Sequence, residues 1–121
     1  MKILIADDSR AMRMIVVRTL RQAGYGGHAV VEAENGKQAL EAAARQKFDL
    51  ILSDWNMPEM TGIEFLRALR ASGTKTPFCF VTSEGSEEMR EQAKAAGAVG
   101  LIAKPFTAEA FADALSSVVT A

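Results

Sequence analysis

Polar residues with complementary chemistry stand where four short apolar runs end. Asp7-Asp8 follow the run 3–6, Asp54 follows 50–52, Thr82-Ser83 follow 77–81, and Lys104-Pro105 follow 99–103. Three carboxylates, a hydroxyl and an ammonium are the parts phosphoryl transfer needs: a carboxylate nucleophile, a cation and a donor for phosphoryl oxygens, and acids to hold a metal. Carboxylates brought together repel, and a divalent cation relieves the conflict. An all-oxygen set with few protein ligands suits Mg²⁺. Taken singly, Asp8 or Ser9 could cap a helix, Asp54 could open a turn into Asn56-Met57-Pro58, and Lys104 could be a solvated lysine. All four coinciding at strand ends points to a site.

The elements that must bring these residues together are legible in the punctuation. The runs 3–6, 29–31, 50–52, 77–81 and 99–103 are too short for buried helices and read as strands. Between them lie segments of helical period. Met12, Ile15, Val16 and Leu20 would share a face after Ser9 as N-cap, with Arg13, Arg18 and Arg21 largely off it and Gly24 as the stop. Leu40, Ala43 and Ala44 follow Asn35-Gly36, and Ile63, Leu66 and Leu69 follow Thr61-Gly62. Ser86 with Glu87 and Glu88 begins a fourth helix, and Thr107 a fifth carrying Phe111, Leu115, Val118 and Val119. Strands alternating with helices give a parallel sheet covered on both faces, a three-layer doubly wound α/β domain spanning residues 1–121. In such sheets function sits at the carboxyl ends of the strands. If the strand order is 2-1-3-4-5, the three carboxylates meet at the switch point; Glu32, ending the second run, has no evident companion.

Composition excludes more than it assigns. Lys plus Arg number 14 against 15 for Asp plus Glu, a net charge of −1, which leaves no electrostatic grip on nucleic acid. No apolar stretch approaches a membrane span, and the start has no signal-peptide layout, so a cytoplasmic protein is expected. The single cysteine, Cys79, lies in an apolar run and reads as a buried inert thiol. Gly24-Tyr25-Gly26-Gly27 follows a helix and reads as a turn; His28, the only histidine, falls beside it.

Asp7-Asp8, Asp54 within Asp54-Trp55-Asn56-Met57-Pro58, Thr82, and Lys104-Pro105-Phe106 match in type, order and spacing a known family. The chain resembles, over essentially its whole length, the receiver domain of two-component response regulators, chemotaxis regulators in particular. The resemblance implies a flavodoxin-like (βα)5 fold with strand order 2-1-3-4-5. It implies that Asp54 accepts phosphate from a histidine kinase, that Asp8, Asp54 and the Asn56 backbone carbonyl bind Mg²⁺, and that Asp7 acts through water. Lys104 would pair with the phosphoryl group, Thr82 would donate its hydroxyl, and Lys104–Pro105 would be a cis bond. Asn56 and Glu84 hold the positions that tune dephosphorylation, here of the short-lived type. Leu101 departs from the family's Tyr or Phe at the switch position, which puts the relay to the output face in question while leaving the chemistry intact. That face would comprise the helix after Ser86, the strand 99–103 and the helix after Thr107.

The expectation is a monomeric receiver with no attached output domain, not an enzyme, that signals by phosphorylation-dependent protein binding. Its partners would be a histidine kinase, a downstream target such as a flagellar motor component, and a phosphatase, with no nucleic acid or membrane insertion. The alternatives are a phosphorelay intermediate, a receiver-like interaction module weakened at Leu101, and a small Mg²⁺-dependent aspartyl-phosphate phosphatase.

Overall fold

A computed structural model describes residues 1–104 and 106–116. Strands β1 (Lys2–Ala6), β2 (Ala29–Ala33), β3 (Leu50–Ser53), β4 (Phe78–Thr82) and β5 (Gly100–Ala103) alternate with helices α1 (Arg10–Leu20), α2 (Gly36–Arg45), α3 (Gly62–Ala71), α4 (Glu87–Ala95) and α5 (Ala108–Leu115). The strands form one parallel sheet in the order 2-1-3-4-5, as expected.

The period of two along each strand divides the core into two layers. Leu4, Ala6, Ile51, Phe78, Phe80 and Leu101 face α2, α3 and α4 through Ala39, Ile63, Phe65, Leu66, Leu69 and Ala93. Ile3, Ile5, Leu50, Leu52, Cys79, Val81 and Ile102 face α1 and α5 through Val16, Leu20, Phe111 and Leu115. Continuous apolar strands are what a sheet covered on both sides requires. Each helix begins at a side-chain cap: Ser9, Asn35, Thr61, Ser86 and Thr107 accept the backbone N–H three residues on. Thr61 and Glu64 complete a capping box.

Two helix faces differ from expectation. On α1 the buried stripe is Arg13, Val16 and Leu20, while Ile15 is 40% and Met14 57% exposed. The arginine, not the flanking apolar residues, takes the inward position. On α2 the inward residues are Gly36 and Ala39, with Leu40 and Ala43 partly buried; Ala44 faces solvent. Gly24 does stop α1, but through a π-type turn over Arg21–Tyr25 in which its φ is 98°. Pro105, Val118 and Val119 lie outside the described residues.

Burial pushes the Cys79 thiol up to about 12, matching its reading as inert. Gly62 marks the tightest approach near the site. Its N–H donates to the Trp55 carbonyl at 2.8 Å. A Cβ there would overlap the Asp54 carbonyl and lie 2.9 Å from Phe80 Cε1. Gly62→Ala should therefore lower stability by about 2 kcal/mol in urea unfolding. Gly26→Ala, whose nearest non-local atom is 3.4 Å away, serves as the tolerant control; equal midpoints for the two variants would refute the account.

Candidate functional site

The switch point between β1 and β3 carries two of the site's backbones. The Asp54 N–H donates to the Ala6 carbonyl at 2.8 Å, and the Asp7 N–H to the Ala33 carbonyl at 3.1 Å. Each acid thus leaves its strand locked to a neighbouring strand. Asp7, Asp8 and Asp54 converge so that one carboxylate oxygen from each lies within 4.8 Å of the others. Asp7 is buried, Asp54 partly buried and Asp8 exposed, a gradient from floor to mouth.

Lys104 spans the pocket from the end of β5. Its Nζ donates to Asp7 Oδ2 and to Asp54 Oδ2, both at 3.3 Å. The other oxygens of these acids are held by the backbone: Asp7 Oδ1 accepts the Ser9 N–H at 2.9 Å and Asp54 Oδ1 the Trp55 N–H at 2.7 Å. Burial dominates at Asp7 and raises its carboxyl above the ordinary value; the Ser9 N–H and Lys104 oppose the shift, and Asp54 adds to it.

The expected companions take their places around this floor. Thr82 ends β4 fully buried, and its carbonyl accepts the Lys104 N–H at 2.7 Å, tying hydroxyl and ammonium to one backbone link. Thr82 Oγ1 accepts the Glu84 N–H at 3.4 Å. Asn56 and Glu84, both exposed, touch across the rim, Asn56 Nδ2 donating to Glu84 Oε1 at 3.3 Å. Trp55 stacks on Phe80 with ring centroids 4.7 Å apart. Leu101 is 9% exposed and belongs to the core, and Arg90 donates to its carbonyl at 3.1 Å. His28 precedes β2 at the opposite end of the sheet and takes no part.

Two residues that the sequence reading left aside adjoin the site. Arg13 donates from Nη1 to the Asp7 carbonyl at 2.7 Å and from Nε to Glu32 Oε1 at 2.8 Å. Glu32 therefore has a companion. The available signal was Arg13 at i−3 and i−7 from Val16 and Leu20, which puts all three on one helix face.

The donor set fits a hard divalent cation: three carboxylates of graded exposure offer only oxygen, and one ammonium leaves their charge partly uncompensated. A carboxyl whose folded value is raised contributes stability that is full below its unfolded value and lost as pH rises through the folded one. Ionised Asp7 is thus a net burden at neutral pH. In EDTA at pH 7, Asp7→Asn should raise the urea midpoint, and the advantage should close as pH falls below 3.8, the ordinary value. A midpoint lowered at pH 7 would contradict this.

Comparison with known proteins agrees with this geometry. The family model for the response regulator receiver domain matches residues 3–116. The chain is 40% identical over 120 residues to the chemotaxis protein CheY of Pseudomonas aeruginosa, covering 98% of this chain and 95% of that one. It is 39% identical to CheY-3 of Vibrio cholerae, covering 98% and 91%. The solved structure of the Vibrio cholerae chemotaxis protein CheY4 superposes with a TM-score of 0.85 at 42% identity, covering 98% of each chain. The acids at the switch point, the lysine bridging them and this likeness over nearly the whole length establish that the chain belongs to the response regulator receiver domain family.

Proposed function

We propose that this protein is a cytoplasmic chemotaxis-type response regulator that accepts a phosphoryl group on Asp54 from a histidine kinase and signals by a change in protein binding. The observation that carries the reading is the Lys104 ammonium held 3.3 Å from both Asp7 and Asp54 within a three-carboxylate cluster. Two of the three acids share the one ammonium, and the third, Asp8, has no ion-pair partner among the described residues.

In the proposed reaction an Asp54 oxygen forms a bond to phosphorus while the donor's P–N bond breaks, with the leaving imidazole taking a proton. Asp54 is oriented for this by the Trp55 N–H on Oδ1, which leaves Oδ2 toward Lys104. Lys104 moves from pairing with carboxylates to pairing with phosphoryl oxygens, and Thr82 offers its hydroxyl from the end of the adjacent strand. Asp8, Asp54 and the Asn56 carbonyl would hold Mg²⁺, with Asp7 acting through water, and the ion supplies charge neutralisation at the phosphoryl oxygens. Asn56 and Glu84, paired at the rim, would admit and orient the hydrolytic water. They support a short phosphoryl lifetime. The names of the relatives support chemotaxis, and the downstream target on this reading is a motility component. Asn56, two residues beyond the acceptor, cannot serve as a general acid, which argues against a phosphatase of small phosphoesters.

Acetyl phosphate with Mg²⁺ should give a single phosphoryl adduct in the intact mass and a change in Trp55 emission. Both should be absent in Asp54→Asn and abolished by EDTA. After donor removal the adduct should decay within seconds to minutes. No wild-type adduct at saturating donor would sink the reading, and persistence for hours would sink the role given to Asn56 and Glu84.

A further inference from the structure

An arginine is an odd choice for the inward stripe of α1. Arg13 is 7% exposed, in line with Val16 and Leu20 at 2% each. Burying a guanidinium costs desolvation that an aliphatic side chain at the same place would not. Its hydrogen bonds supply the reason. Nη1 reaches the main-chain carbonyl of Asp7 at 2.7 Å, and Nε is held by Glu32 from the end of β2 at 2.8 Å. The planar fork is thus anchored on one edge and aimed by the other.

The carbonyl it grips belongs to the peptide joining Asp7 to Asp8, one rigid plane. The remaining polar atoms of Asp7 are already engaged: its N–H by Ala33, Oδ1 by Ser9 and Oδ2 by Lys104. Asp8 is different. Among the described residues its carboxylate makes no hydrogen bond or ion pair, so the only restraint on it is the backbone, which sets the direction of its Cα–Cβ bond. The Arg13 bond closes the set that fixes that backbone.

We infer that Arg13, aimed by Glu32, is a positioning residue that orients Asp8 through the Asp7–Asp8 peptide and thereby sets the affinity of the site for Mg²⁺. The inference rests on the Mg²⁺ site proposed above. Charge alone predicts the opposite sign: a nearby guanidinium repels a cation, so removing it would tighten binding. Orientation predicts weaker binding, because outer-shell partners of ligands typically contribute about 10- to 100-fold in metal affinity.

The test titrates Mg²⁺ against Trp55 fluorescence in wild type, Arg13→Gln, Arg13→Lys and Glu32→Gln, with urea unfolding in EDTA to establish that each is folded. Arg13→Gln should weaken Mg²⁺ binding at least about tenfold. Arg13→Lys, which keeps the charge but not the fork, should fall between. Glu32→Gln should weaken binding less, a change that loss of its negative charge alone also predicts, so Arg13→Lys, which keeps the charge, is the decisive variant if Arg13→Gln does not fold. In metal-free protein the Ser9 amide should exchange with deuterium faster in Arg13→Gln. Unchanged or tighter Mg²⁺ binding in the folded variants, or an unchanged Ser9 exchange rate, overturns the positioning role while leaving the proposed function standing. A wild type that shows no response to Mg²⁺ overturns both.

Discussion

Everything at this site follows from one electrostatic conflict: three carboxylates meet where a single ammonium cannot neutralise them. In water such groups would separate. Here Asp7 and Asp54 are pinned at their backbone N–H groups to strands β2 and β1, and separation would mean breaking the sheet. The raised carboxyl of Asp7 owes most to burial, and the neighbouring Asp54 adds to it. On the proposed reading, carboxylates held in this way are placed for a cation before it arrives.

The rest of the fold is what makes that pinning possible. Strands apolar on both faces sink into two helix layers, so their carboxyl ends are rigid platforms for the loops that follow. The order 2-1-3-4-5 places β1 beside β3, and at that junction the two acidic loops must be neighbours. β4 and β5 add Thr82 and Lys104 through one backbone hydrogen bond between those two residues. Gly62 lets α3 start against the loop after β3, where any side chain would press on the Asp54 carbonyl.

What was legible in the sequence was what local chemistry determines. Five short apolar runs, the caps Ser9, Ser86 and Thr107, the Asn35-Gly36 turn signal and polar residues at the strand ends led to the right elements. Asp7, Asp8 and Asp54 do converge, with Thr82 and Lys104 at the same carboxyl edge. What escaped depends on long-range pairing. Arg13 reads from the sequence as largely off the apolar face, yet it is buried with partners at the Asp7 carbonyl and at Glu32, 19 residues away on another strand. Ile15 and Ala44 were assigned inward by apolarity, but a helix turned to bury Arg13 or Ala39 leaves them out. The Asn56–Glu84 contact spans 28 residues and exists only because β3 and β4 are adjacent. The strand order itself came from family likeness, since periodicity does not encode which strands pair.

Leu101 bears on how the site reaches the rest of the surface. A leucine has no ring to swing and no hydroxyl to change partners, so a relay that depended on such a side chain would be lost. The connections present are of another kind. Lys104 hangs from the Thr82 carbonyl, and the loop after β4 lies flat on β5, where a Cβ on Gly85 would come 3.2 Å from Ala103 Cβ. Arg90 bridges the same elements from outside, donating to the Gly85 carbonyl at 3.4 Å and the Leu101 carbonyl at 3.1 Å. These contacts join the loop beyond Thr82 to the edge strand through main-chain carbonyls, whatever side chain position 101 carries. On the proposed reading, movement of Thr82 toward a phosphoryl group pulls on the backbone that Arg90 and Gly85 fasten to β5. On that reading leucine at position 101 would remove a reporter of the change and leave these main-chain contacts in place.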